Sequence, residues 1–233
     1  MLSIRSAIPS ALVTIALAGS AYAAPLAYRF PAGSAFELDT VVDATAPVVG
    51  PKHIEIKAAV HVDEALADGM KLTQTITAGG NNVTVGCQLS AEGRITNITG
   101  GDLNDPKFAL IAKNAGTALP ALPNEEPTVG MTWQDEKPLA LPKLPIPGVP
   151  DTLRITSSYK VTAIAKVGDQ QQVTIAVVID QSPGQKMGVH AEGAFVLDAA
   201  TGKPVTSHLE GEAQVKVILK TFKIPFKADI SVK

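Results

Sequence analysis

Alternation with a period of two runs through most of this chain and commits it to extended strands. From Lys52 to Val62 the apolar set is Ile54, Ile56, Ala58, Val60 and Val62, interleaved with His53, Glu55, Lys57, Ala59 and His61. Successive side chains on a strand point to opposite faces, so this pattern puts one face on a core and the other in water. Residues 36–42, 70–77 and 83–89 read the same way; in the last, Val83, Val85, Cys87 and Leu89 share a face. Further on, Leu153, Ile155, Tyr159, Val161, Ala163 and Ala165 alternate with polar neighbours. Gly168-Asp169 then marks a turn, and Val173, Ile175, Val177 and Ile179 continue the period. These two runs are predicted to form a hairpin.

Near the C-terminus the parity changes. Val205, Leu209, Ala213, Val215, Val217 and Leu219 are odd-numbered; Phe222, Ile224, Phe226, Ala228, Ile230 and Val232 are even-numbered. A two-residue hairpin turn produces such a switch, because the residues flanking it pair and share a face. Placed at Lys220-Thr221, the turn has poor chemistry, and a β-bulge in one long strand is the rival. Strands longer than the usual ~5–6 residues suit a strongly curved sheet.

One helix is predicted over residues 106–115. Asp105 can cap it, Pro106 fits the first helical position, and Phe108, Ile111, Ala112 and Ala115 follow helical spacing. Asp63 to Gly69 reads as one helical turn or as the loop joining two strands. Eight prolines fall between Pro120 and Pro150. Proline cannot donate to a sheet ladder, so residues 119–150 are expected to be a Pro-rich connection. It would join an N-terminal β-rich half with the helix (24–118) to a C-terminal antiparallel half (151–233). Ala91-Glu92-Gly93 and Ala191-Glu192-Gly193, each followed by a Thr-Gly pair, would fit a duplication, as would chance.

The first 23 residues have the three zones of a secretory signal peptide. Arg5 lies in a short first zone, Ala11–Ala18 is apolar, and small residues stand at Ala21 and Ala23. Cleavage is expected between Ala23 and Ala24, with a periplasmic or secreted product. The apolar run is shorter than the ~20 residues that span a bilayer, and no later segment does better, so no stable membrane span is expected. Counting 20 Lys and Arg against 22 Asp and Glu, with Arg5 leaving, gives a net of about −3. That mild balance gives no reason to expect a nucleic acid partner. Cys87 is the only cysteine, so no intramolecular disulfide can form and the fold rests on its core.

Two runs carry a resemblance. Glu126-Pro127-Thr128-Val129-Gly130-Met131-Thr132-Trp133 and Gly193-Ala194-Phe195-Val196-Leu197-Asp198-Ala199-Ala200-Thr201-Gly202-Lys203-Pro204 resemble segments of a family of uncharacterised, exported, β-rich bacterial envelope proteins. The general plan also resembles the half-barrel carriers of lipids and lipoproteins in the periplasm. That likeness implies a curved sheet and transfers no functional residue. Read physically, Pro127 and Gly130 set a bend, Trp133 anchors the core, and Asp198 to Gly202 makes a turn between strands.

No catalytic, cofactor or metal constellation emerges. His53 and His61 lie eight residues apart on one strand, roughly 25 Å by strand rise. His61 with Asp63 offers too few ligands for zinc. His190 is expected near a turn, and His208 on a polar face with Glu210 and Glu212. Ser207, His208 and Asp198 can be drawn as a triad, but adjacent strand residues point to opposite faces, which removes it. Cys87 is expected to be a buried, inert thiol.

The aliphatic faces are the positive hint: ten aromatics in all leave long aliphatic sets to be covered. The expected fold is mainly β, with long antiparallel strands as a curved half-barrel or two similar β-sheet halves and one helix over a face. The expected function is non-enzymatic binding of a hydrophobic or lipid-like small molecule in the cell envelope. Trp133, Leu141, Leu144, Ile146 and Val149 are candidates for the rim of its cavity. The alternative is a structural or protein-interaction module with an envelope protein as partner.

Overall fold

The alternating runs become eleven strands of one antiparallel sheet. The computed structural model describes residues 24–46, 50–101, 109–110, 113–114, 119–141, 151–181, 187–217 and 220–233. The strands are β1 (Ala35–Ala46), β2 (Gly50–Leu66), β3 (Gly69–Ala78), β4 (Asn81–Ser90), β5 (Ile95–Gly100), β6 (Thr132–Ala140), β7 (Thr152–Val167), β8 (Gln170–Gln181), β9 (Met187–Asp198), β10 (Pro204–Val217) and β11 (Lys220–Val232). Their order is β5-β4-β3-β2-β1-β11-β10-β9-β8-β7-β6. The fold is therefore mainly β, a single curved sheet that does not close, with β5 and β6 as its edges.

The two expected halves are two meanders sharing this sheet. β1 pairs with β11 from Leu38↔Val232 to Ala44↔Phe226, and Lys233 Nζ bridges the Asp39 carboxylate across the seam. Turn chemistry sets the registers. At the β3–β4 hairpin Gly79 and Gly80 both have positive φ, 56° and 80°, the combination a two-residue turn of the favoured twist requires. The hairpin of β7 and β8 turns at Gly168-Asp169, as predicted.

Several expectations need correction. Val217 pairs with Lys220, so Lys220-Thr221 open β11 and are not the turn of the C-terminal hairpin; residues 218–219, between the paired residues, lie outside the described set. The parity switch is thus a hairpin and not a bulge. A bulge does occur in β7: the register slips between Val161 and Ala163, so Thr162 is the extra residue. It turns Ala163 and Ala165 outward, and Ile164 packs on the core instead. Residues 63–69 hold no helical turn, because β2 runs on to Leu66 and a two-residue turn leads into β3. The Pro-rich connection 119–150 contains β6, which tolerates Pro138 because it is an edge strand. Ala91–Gly93 follows β4 in a turn, whereas Ala191–Gly193 lies inside β9, so these short matches occupy unlike positions. His190 likewise sits within β9 and not near a turn.

Of the predicted helix 106–115, residues 109–110 and 113–114 are described, and they are helical. Leu110 and Asn114, one from each of these pieces, face the sheet.

The core sits at one end of the concave face. Val60, Val62, Met70, Leu72, Cys87, Leu89, Val161, Val173, Ile175 and Leu197 supply its wall. Two irregular segments fill it. Residues 24–31 bring in Leu26, Tyr28 and Phe30, and residues 119–122 bring in Leu119, Ala121 and Leu122. Each fully buried Leu or Phe contributes about 1.5–3 kcal/mol. The first segment is stitched down by its backbone: Leu26 N donates to Glu125 O, Tyr28 N to Ala91 O and Arg29 N to Thr201 O. Tyr28 Oη donates to Pro120 O at 2.9 Å, which ties the two segments together.

Candidate functional site

Burial fades along the strands away from that core. On β2, Val62 and Val60 are buried, Ala58 and Ile56 are half-buried, and Ile54 is 47% exposed. Of the plug segments 24–31 and 119–122 only Leu119 reaches this far, and a cavity of about 320 Å³ remains. Its volume falls within the ~300–1,000 Å³ of small-molecule sites. Its floor is one in-register row across the concave face: Ile56 on β2, Thr40 on β1, Ile230 on β11, Ser207 on β10 and Phe195 on β9. Leu38, Ala58 and Ile76 continue the wall, and Ile95, Leu110, Asn114 and Leu119 close over it.

The roof is fastened at the edge strand. Asn114 Nδ2 donates to Ala140 O at 2.8 Å, and Ala140 N donates to Asn114 Oδ1 at 2.8 Å. This paired bond mimics a strand neighbour for the end of β6. Lys137 Nζ donates to Leu119 O at 2.9 Å and lies 3.7 Å from Asp135. Burial lowers the Lys137 pKa, and the Asp135 charge opposes that shift. The helical segment and residue 119 are thus both pinned to β6.

Four polar side chains line the cavity: Thr40, Gln74, Asn114 and Ser207. None of the described lining residues carries a charge. Ser207 is 5% exposed, and its Oγ has no hydrogen-bond partner among the described residues. Gln74 Nε2 reaches Cys87 Sγ at 3.8 Å. The Cys87 thiol is buried and its pKa is pushed up to about 11, chiefly by that burial, so it is not a nucleophile at neutral pH.

The candidate rim residues stand elsewhere or lie outside the described set. Trp133 stacks on Tyr159 at 5.2 Å and donates from Nε1 to Ala121 O at 2.8 Å, which supports the core plug. Leu141 packs with Leu139 against Leu153 and Met187. Leu144, Ile146 and Val149 lie outside the described residues. The residues that do form the wall include Ser207, a polar side chain at an odd, apolar-parity position between Val205 and Leu209. That break in pattern was the available signal.

The convex face has a different chemistry. His53 lies 2.7 Å from Asp43 on the next strand and 3.2 Å from Glu55 two residues on. His190 repeats this with Asp180 at 2.7 Å and Glu192 at 3.4 Å, and His208 with Asp229 at 2.5 Å and Glu210 at 3.1 Å. The cross-strand aspartate raises the pKa of each of these three imidazoles. Both ring nitrogens face carboxylates, an arrangement suited to imidazolium. His61 has Asp63 at 3.9 Å. A second hollow, about 550 Å³, lies over this surface between His53, Asp43, Lys227 and Glu210. It is larger than the concave cavity, but its His53–Asp43 and Lys227–Glu210 charges (the latter at 2.5 Å) pair with each other and stand in solvent, so we regard the apolar cavity as the site. Ser207 and His208 point to opposite faces, which disposes of the drawn triad. Among the described residues no three His, Cys, Asp or Glu side chains converge to hold a metal ion, and no helix is long and apolar enough to cross a membrane.

No protein-family model matches the chain, and no curated protein matches it. Solved structures are similar to it. A lipovitellin structure concerned with lipid–protein interactions superposes with a TM-score of 0.50 at 12% identity; the match covers 88% of this chain and 25% of the lipovitellin chain. The chain thus spans about a quarter of that protein's length. A protein with a YmcC-like fold from Bacteroides fragilis gives a TM-score of 0.36 at 11% identity, covering 90% of this chain and 99% of that one. A LolA superfamily protein from Nitrosomonas europaea gives 0.23 at 8% identity, covering 88% and 86%.

Proposed function

We propose that this chain is an exported, non-enzymatic protein of the cell envelope that binds a hydrophobic, lipid-like molecule under its helical segment. The observation that carries the reading is the 320 Å³ cavity, walled by aliphatic side chains and roofed by Leu110 and Leu119. Apolar surface facing such a cavity gives up the dispersion contacts and burial that a filled core supplies, and an apolar ligand restores them. The lipovitellin likeness, a sheet fold in a protein studied for its lipid–protein interactions, agrees with binding of a lipid-like molecule. Export rests on the three-zone N-terminus, residues 1–23, with cleavage before Ala24.

Native mass spectrometry of protein taken from its own periplasm tests the reading. We expect a bound species of lipid mass that solvent extraction removes. Protein that carries no adduct, and that takes up no neutral apolar probe after extraction, would end it.

A further inference from the structure

We infer that the ligand is an uncharged amphiphile, and that its single polar group hydrogen-bonds to the Ser207 hydroxyl in the cavity floor. This rests on the binding reading above and adds the chemical class of the ligand to it.

Ser207 lies on β10, flanked in register by Ile230 of β11 and Phe195 of β9. Its hydroxyl is buried and has no partner among the described residues. A hydroxyl left in this condition costs free energy, and replacing it by an apolar group of the same shape costs nothing or stabilises. A group that weakens the empty protein is explained if it contributes when the site is filled. The hydroxyl both donates and accepts, so an alcohol, an ester carbonyl or an amide on the ligand satisfies it. An ionised head group is a different matter. A carboxylate or phosphate brought here would lose its hydration, and no described lining residue offers a cation; an ammonium would find no anion.

The test uses the mature protein after solvent extraction, with the neutral dye N-phenyl-1-naphthylamine as fluorescent probe. Decanol, methyl decanoate, decanoate and decylammonium compete at pH 8. We expect decanol and methyl decanoate to displace the dye at concentrations at least about tenfold below those of the two ions. With dye affinity measured separately for each variant, Ser207→Ala should lower decanol affinity about five- to tenfold and leave Tm equal or higher. Ser207→Thr should restore decanol binding. A dye that finds no site in the wild-type protein overturns the binding reading and this one together. A dye that binds, with decanoate or decylammonium the best competitor, overturns the neutral class. Unchanged decanol affinity in Ser207→Ala, or a lowered Tm, overturns the role of Ser207 while the binding reading stands.

Discussion

The two ends of the concave face are built from the same strands and are held in different ways. At the closed end, Val62, Leu89, Val161 and Leu197 meet Leu26, Tyr28 and Leu122 in one buried cluster. At the other end, Ile56, Ala58 and Ile230 face a cavity. What supports that hollow wall lies behind it. The convex ladder of His53–Asp43, Lys227–Glu210 and His208–Asp229 crosses the strands whose inner faces form the cavity floor. The difference teaches that a period-two strand specifies a face and not what covers it. A closed end gains its stability from buried apolar area. An open end must take more of it from cross-strand pairs, each worth only ~0.2–1 kcal/mol.

The sharpest way to break this comparison is to empty the closed end. Tyr28→Ala removes a fully buried ring and its bond to Pro120, and should cost about 3–5 kcal/mol in urea unfolding. Ile56→Ala, a half-buried site at the open end, should cost under about 1.5 kcal/mol. Equal losses at both sites would show that the plug is not what distinguishes them.

Gly202→Ala should come next. Gly202 has φ +68°, and an added Cβ would lie 2.6 Å from Ala27 O, a backbone atom of the plug. The left-handed conformation alone costs roughly 1–2 kcal/mol for a residue with a side chain. The clash adds to that by lifting residues 26–28. Hydrogen exchange should show faster loss of protection at Tyr28 and Arg29 than at β1 or β11.

Ala58→Leu should change stability by less than about 1.5 kcal/mol, because the new side chain enters open space and not a packed core. It should sharply weaken uptake of an apolar dye. A loss of several kcal/mol would mean that this end is as closely packed as the other.

The smallest effect concerns pH. The pKa values of His53, His190 and His208 are raised in the folded state above the ordinary 6.5. Their stabilisation is therefore complete below the unfolded value and disappears as pH rises through the raised folded values. Glu210 and Glu212, held low by Lys227 and Lys223, act in a separate window: their contribution is present above the unfolded carboxylate value and fades as pH falls through the lowered ones. Raising pH from 6 to 8 should lower Tm slightly, and His208→Gln should reduce that difference. The loss of amide protection should concentrate around the His53–Asp43, His190–Asp180 and His208–Asp229 pairs and spare residues 60–72. A uniform loss along the sheet would show that the ladder does not serve the open end in particular.

Much of the sheet was legible. Val83, Val85, Cys87 and Leu89 share a buried face as their spacing required, because strand geometry alone dictates it. The bulge at Thr162 was not legible: nothing local distinguishes Val161-Thr162-Ala163 from the regular alternation around it, and the slip is fixed by pairing with β8. Ser207 is an intermediate case. Its polarity at an apolar-parity position was readable, but its isolation depends on Ile230 and Phe195, which come from other strands. Trp133 was readable as an anchor, and only the folded chain sets it on Tyr159 beside the plug.

By itself, the sequence determined that this protein is built of long antiparallel strands with an aliphatic face and a charged one, since side-chain direction on a strand follows from backbone geometry. Tertiary structure decided which part of the aliphatic face is filled. Residues 26–30 and 119–122 have no period of their own, and their positions follow from backbone hydrogen bonds to Ala91, Glu92, Glu125 and Thr201, contacts distant in the chain that no local pattern encodes.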